Sequence, residues 1–136
     1  MPNHQEYKLS ILRHMKCLIT GINGSGASYL AEFLVTIPGM EVEGITRWHT
    51  DRSRVAGGYS NLKETQTKIK LHECDLTDLS AVIRTLDASR PDIIFHMAAH
   101  ANVRLCFVNP IAVFNNNTSG TLNLLEALRI LKMKPI

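Results

Sequence analysis

The chain has 136 residues, 45% of them hydrophobic and 20% charged, with a formal charge of +3 from 15 basic and 12 acidic side chains. That size and balance fit one domain with a real core, and the charges are mixed along the chain rather than gathered in a basic block, which argues against nucleic-acid or membrane binding. Cys17, Cys74 and Cys106 form an odd, widely spaced set without C-x-x-C, and no signal peptide or long apolar span precedes them, so a reduced, cytoplasmic location is expected.

In chain order, residues 1–14 read as an N-terminal extension, loosely helical through Leu9, Ile11 and Leu12, ahead of a domain spanning residues 15–136. Residues 17–20 are a short apolar strand. Residues 25–37 have helical periodicity through Tyr29, Leu30, Phe33 and Leu34 and stop at Pro38-Gly39. Residues 40–46 read as a second strand, 47–66 as a polar loop containing Gly57-Gly58 with room for a short helix, and 68–74 as a third strand. Thr77 is placed as the cap of a helix with Leu79, Val82, Ile83 and Leu86 on its apolar face, ending before Ser89-Arg90-Pro91. A fourth strand is expected over 92–97 and a long helix over 109–132, with Pro110 in its first turn where a missing N–H costs nothing; residues 133–136 begin a further strand.

This alternation, with apolar and scarcely alternating first and fourth strands, predicts an α/β fold: a doubly wound parallel sheet of Rossmann-like type, strand order 3-2-1-4, incomplete after about four strands. Such a sheet reverses direction between strands one and four, and ligands bind beyond the carboxyl ends there. Two segments meet at that point, "TGINGSGAS" and "HMAAHANV".

The glycine segment admits two readings. Gly21 to Ser28 is one residue short of the triphosphate loop G-x-x-x-x-G-K-[ST], but the lysine that would reach the outer phosphates is replaced by Ala27. The spacing Gly21, Gly24, Ala27 suits a dinucleotide instead: a tight turn, a close approach of backbone to pyrophosphate, and a small residue where helix crosses strand. A strand-to-helix turn without any ligand is the plainer alternative.

Four segments, "TGINGSGASYLAEFL", "ECDLTD", "PDIIFHMAAHANV" and "NNTSGTLNLLEALR", occur in an order and spacing that resemble the extended short-chain dehydrogenase/reductase family over residues 15–136. Thr20, Gly21, Ile22, Gly24, Ser28, Tyr29 and Leu30 are most similar to the loop of its GDP-mannose 4,6-dehydratase branch, which has Gln-Asp-Gly at Ser25-Gly26-Ala27 and paired arginines at Arg47-Trp48. The resemblance implies that Gly21 and Gly24, with the loop backbone at Asn23, Ser25 and Gly26, hold a pyrophosphate. It implies further that Asp75 and Leu76 hold the adenine end, that Ala98 and Ala99 line the path to the nicotinamide, and that Asn117 orders the site. Asp75 as a cap shared with Thr77, and Asn117 as a buried amide satisfying backbone, are the structural alternatives.

NAD binders place a carboxylate at the tip of strand two, whereas NADP binders place an arginine there for the 2′-phosphate. The tip holds Thr46-Arg47, with Arg52 and Arg54 behind it, while Glu41 and Glu43 lie too early to reach, so NADP is expected over NAD. Tyr59 and Lys63 match the family's catalytic Y-x-x-x-K spacing but fall between strands two and three, on the adenosine side, and read as coincidence. His96 and His100 straddle a strand end and should stand roughly 13 Å apart, too far to share an ion.

The family's Ser or Thr after strand five, its Tyr-x-x-x-Lys pair and the C-terminal part that binds nucleotide sugar all come later than residue 136. The resemblance therefore implies the NADP-binding portion of a nucleotide-sugar 4,6-dehydratase, inactive by itself and meeting its nucleotide-sugar substrate through further chain. A nucleotide-sugar epimerase and a non-catalytic dinucleotide-binding module are the alternatives. An unpaired sheet edge where strand five should lie predicts self-association as a homo-oligomer or dependence on further chain.

Overall fold

A computed structural model describes residues 14–47, 60–62 and 64–136. Four strands, β1 (Met15–Thr20), β2 (Met40–Thr46), β3 (Lys70–Glu73) and β4 (Ile93–His96), form one parallel sheet in the order β3-β2-β1-β4. The helices are α1 (Ser25–Leu34), α2 (Leu79–Ser89), α3 (Val103–Val108) and α4 (Pro110–Ile130). This is the doubly wound order expected from the sequence.

Alternation along β1 and β2 divides the core. Cys17, Ile19 and Val42 pack with Ala27, Ala31 and Leu34 of α1 on one face. On the other, Leu18 and Ile45 pack with Val82 and Leu86 of α2 and with Leu124 and Ala127 of α4. With both faces covered, β1 buries its last four residues, which is why its sequence shows no polar alternation.

Several boundaries differ from expectation. The first helix ends at Leu34, because residues 35–37 continue as turns in which Thr36 Oγ1 donates to the Phe33 carbonyl. The third strand starts at Lys70, since Gln66–Lys68 winds a 3-10 turn. Asp78, not Thr77, caps α2: its carboxylate accepts from Ala81 N at 3.1 Å. α4 begins where predicted, its cap Asn109 accepting from Ala112 N, but ends two residues early at Ile130. The short α3, capped by Asn102, was not foreseen. Residues 133–136 do approach the sheet: Ile136 N donates to Asp92 O and Ile94 N to Ile136 O, the pattern of a parallel partner on the free side of β4. The expected extension, apart from His14, and Arg52, Arg54, Tyr59, Lys63 and the Gly57-Gly58 loop lie outside the described residues.

Candidate dinucleotide site

At the carboxyl end of β1, beside that of β4, the chain turns tightly. Gly21 adopts φ +66°, and a Cβ there would lie 2.8 Å from the Cα of Ala98, so the glycine turn and the segment after β4 touch backbone to backbone. Ile22 anchors the turn from below: its side chain lies over Gly44 of β2, where a Cβ would come within 2.4 Å of it. The turn then feeds α1 with Gly24 at the N-cap. Among the described residues no side chain caps this helix, and its first turn carries no acid, so its leading amides and the positive end of its dipole are left for another acceptor.

A cleft of about 220 Å³ opens beside this turn, walled by Gly21, Asn23 and Gly24 on one side, by Thr46, Arg47, Asp75 and Leu76 on the second, and by Ala98 and Ala99 on the third. The sequence-predicted residues therefore come together, with three exceptions. Ser25 and Gly26 are exposed in the first turn of α1 and do not line the cleft. Asn117 stands behind the wall, which Asn116 and Gly120 supply from α4. Ile45, Cys74 and Met97 also line it; sequence reasoning passed over them, although Cys74 and Met97 each flank a residue it did select and Ile45 lies two residues before Arg47.

Asn117 acts on backbone. Its Oδ1 accepts from His100 N at 2.8 Å and its Nδ2 donates to His100 O at 3.3 Å, tying the segment after β4 to α4. Asp75 is partly engaged, because Thr77 N and Thr77 Oγ1 both donate to its Oδ1 at 2.9 and 2.8 Å. Burial pushes the Asp75 carboxyl up, but the Thr77 hydrogen bonds and the nearby charges of Arg47 and His100 outweigh it and leave the pKa below the ordinary value. Arg47, exposed at the tip of β2, donates from Nη1 toward His100 Nε2 at 3.4 Å and toward Asn116 Oδ1 at 3.5 Å. Asn23 O accepts from Asn61 Nδ2 at 2.9 Å. His96 and His100 turn to different partners, His96 to Thr20 and Thr121 and His100 to Arg47.

A four-stranded parallel sheet in this order, a glycine turn at the reversal point and a ligand-sized cleft above it define the class: a Rossmann-like α/β fold. Residues 18–136 match the family described as GDP-mannose 4,6 dehydratase, and the chain belongs to that family. It is 41% identical over 117 residues to a GDP-mannose 4,6-dehydratase of Yersinia enterocolitica, covering 85% of this chain and 31% of the relative. It is also 41% identical over 116 residues to one of Vibrio cholerae, covering 84% and 31%. Among solved structures, the UDP-glucose 4-epimerase of Thermus thermophilus, in complex with NAD, superposes with a TM-score of 0.72 at 30% identity, covering 88% of this chain and 35% of that one. The chain thus spans about a third of the length of the relatives it matches. No helix among the described residues is long and apolar enough to cross a membrane.

Proposed function

We propose that residues 15–136 are the dinucleotide-binding part of an NADP-dependent nucleotide-sugar 4,6-dehydratase. The observation that carries the reading is the contact of Gly21 with Ala98 beside an uncapped helix N-terminus, at the reversal point of the sheet. A backbone surface cleared of Cβ atoms beside an uncapped helix N-terminus suits a pyrophosphate. Gly21, Gly24 and the loop backbone at Asn23, Ser25 and Gly26 would hold that group, Asp75 and Leu76 the adenine end, and Ala98 and Ala99 the way to the nicotinamide, with Asn117 fixing the segment that carries them.

Arg47 supports NADP over NAD. It is the charged side chain at the tip of β2 that lines the cleft, while Glu43, the strand's buried carboxylate, is held by Lys16, Lys70 and His72. When bound, the nicotinamide supplies a reversible hydride acceptor. In the whole protein it would serve oxidation at sugar C4, loss of water across C5 and C6, and return of hydride to C6. The similarity to a UDP-glucose 4-epimerase favours one second reading, an epimerase that shares the first of these steps. The nucleotide sugar and self-association as a homo-oligomer belong to the same proposal.

Titration of the 136-residue chain with NADPH and NADH tests it. Tighter binding of NADPH is expected. Equal affinities would overturn the NADP assignment, and no binding of either would overturn the dinucleotide reading.

A further inference from the structure

Below the cleft floor a chain of hydrogen bonds has only one possible direction. The buried Thr20 Oγ1 is approached by Met97 N and Ala98 N, both at 3.1 Å, and by His96 Nδ1 at 2.8 Å. Each amide can only donate, and together they fill the two lone pairs of the hydroxyl. Its single hydrogen must then go to Nδ1, which therefore carries none. The ring is neutral and protonated at Nε2, from which it donates to Thr121 Oγ1 at 3.0 Å; Thr121 donates in turn to Asn117 O at 2.9 Å. Asn117 holds the backbone of His100. Thr20 thus grips the start of the segment over residues 97–100, Asn117 grips its end, and His96 joins the two grips.

We infer that His96 is a positioning residue for the dinucleotide: as the neutral Nε2–H form it orients the Thr20 hydroxyl so that Met97 and Ala98 are held where Ala98 and Ala99 face the cleft. A proton taken up at Nδ1 would turn that acceptor into a donor aimed at a hydroxyl with no lone pair left, and one of the two amides must let go. The inference rests on the dinucleotide reading for its functional consequence but not for its structural core.

The surroundings agree. Although the residue is exposed overall, the Nδ1 edge of the ring lies against the buried Thr20, and this burial pushes its pKa below the ordinary value of 6.5. Thr20 from β1 and Thr121 from α4 are its polar partners, and no charged side chain contributes to the shift among the described residues. The sign follows directly: the folded form prefers neutral histidine, so the grip is complete above pH 6.5 and is lost as pH falls through the lower folded value.

Two measurements on the 136-residue chain decide it. In long-range ¹H–¹⁵N spectra, His96 should show the Nε2–H tautomer, and the Met97 and Ala98 amide shifts should move with its titration. The Nδ1–H tautomer, or amides that ignore the histidine, would overturn the inference whatever the chain binds. In NADPH titrations from about pH 7.5 down through the folded His96 pKa that the spectra locate, wild type should lose about tenfold more affinity than His96→Asn, a change worth one hydrogen bond. Asn keeps an acceptor near the Nδ1 position but cannot titrate, so it should hold near-wild-type affinity at neutral pH. The difference between the two proteins is the readout because the ligand's own phosphate titrates in both. His96→Phe should bind about tenfold more weakly at neutral pH; wild-type affinity with a wild-type pH profile in that variant would refute the role. No binding by wild type at neutral pH would defeat the dinucleotide reading, and the spectra would still judge the grip.

Discussion

Toward the amino end of the sheet, the fully buried Glu43 carboxylate is surrounded by Lys16 at 3.5 Å, Lys70 at 3.3 Å and His72 at 2.6 Å. At the carboxyl end, among the described residues, the α1 amides meet no capping side chain, Arg47 makes only long contacts, and Asp75 is engaged through one of its two oxygens. One end of the same sheet closes its polar groups on each other, and the other leaves them room. The difference separates polar groups that serve the fold from those kept for a ligand, and substitutions at each end should separate stability from binding.

The largest effect is expected at the closed end. Glu43→Ala removes the carboxylate that neutralises the cluster and should cost about 3 kcal/mol in urea denaturation, toward the lower side of the range for broken buried pairs because Lys70 can turn to solvent. NADPH affinity should stay within about twofold of wild type, as expected for a distant site. Burial pushes the Glu43 carboxyl up, but the His72 hydrogen bond and the charges of His72 and Lys70 more than offset this, and its pKa lies below 4.5. Its contribution is therefore complete above pH 4.5 and fades as pH falls through the lower folded value, so wild type and variant should converge in strong acid. A stability gap that persists there would mean that Glu43 acts through packing rather than charge.

Gly21→Ala should touch both quantities. The positive φ and the 2.8 Å approach to Ala98 force the turn or the opposite segment to move, at a cost of about 2 kcal/mol. Because those two backbones form the cleft wall, NADPH binding should become undetectable at concentrations that saturate wild type. Normal binding in a destabilised variant would detach the turn from the ligand. Arg47→Ala should affect binding alone. Loss of a charged hydrogen bond corresponds to about 1.5–3 kcal/mol of NADPH affinity, with NADH affinity and stability hardly changed. An equal loss for both dinucleotides would remove Arg47 from the 2′-phosphate.

The sequence made the open end easier to read than the closed one. Strand order and the meeting of "TGINGSGAS" with "HMAAHANV" follow from element alternation, which local pattern encodes. The Glu43 cluster does not, because Lys16, Lys70 and His72 converge only through the pairing of three strands, with Glu43 beside Lys70 in the register. Thr20 and His96 are likewise 76 residues apart and face each other only once β1 and β4 are in register. The α3 helix left no signal: none of its six residues is buried, and Val103, Phe107 and Val108 are exposed, so no apolar periodicity marks it.

The smallest predicted effect tests the division within a single turn. Asp75 and Asp78 follow β3 only three residues apart, yet Asp78 is spent on the α2 amide of Ala81 while Asp75 lines the cleft. Asp78→Ala should cost about 1 kcal/mol, the usual worth of an N-cap, and leave NADPH binding unchanged. Asp75→Ala should show the reverse pattern, weaker binding with a smaller loss of stability, since it gives up only the exposed bonds from Thr77. Thr77→Ala, which removes the residue that sequence pattern alone selects as the cap, should cost less than Asp78→Ala. If the two carboxylates instead gave the same pair of effects, the boundary between structural and ligand-facing groups would not run between them, and the open end would extend through the first turn of α2.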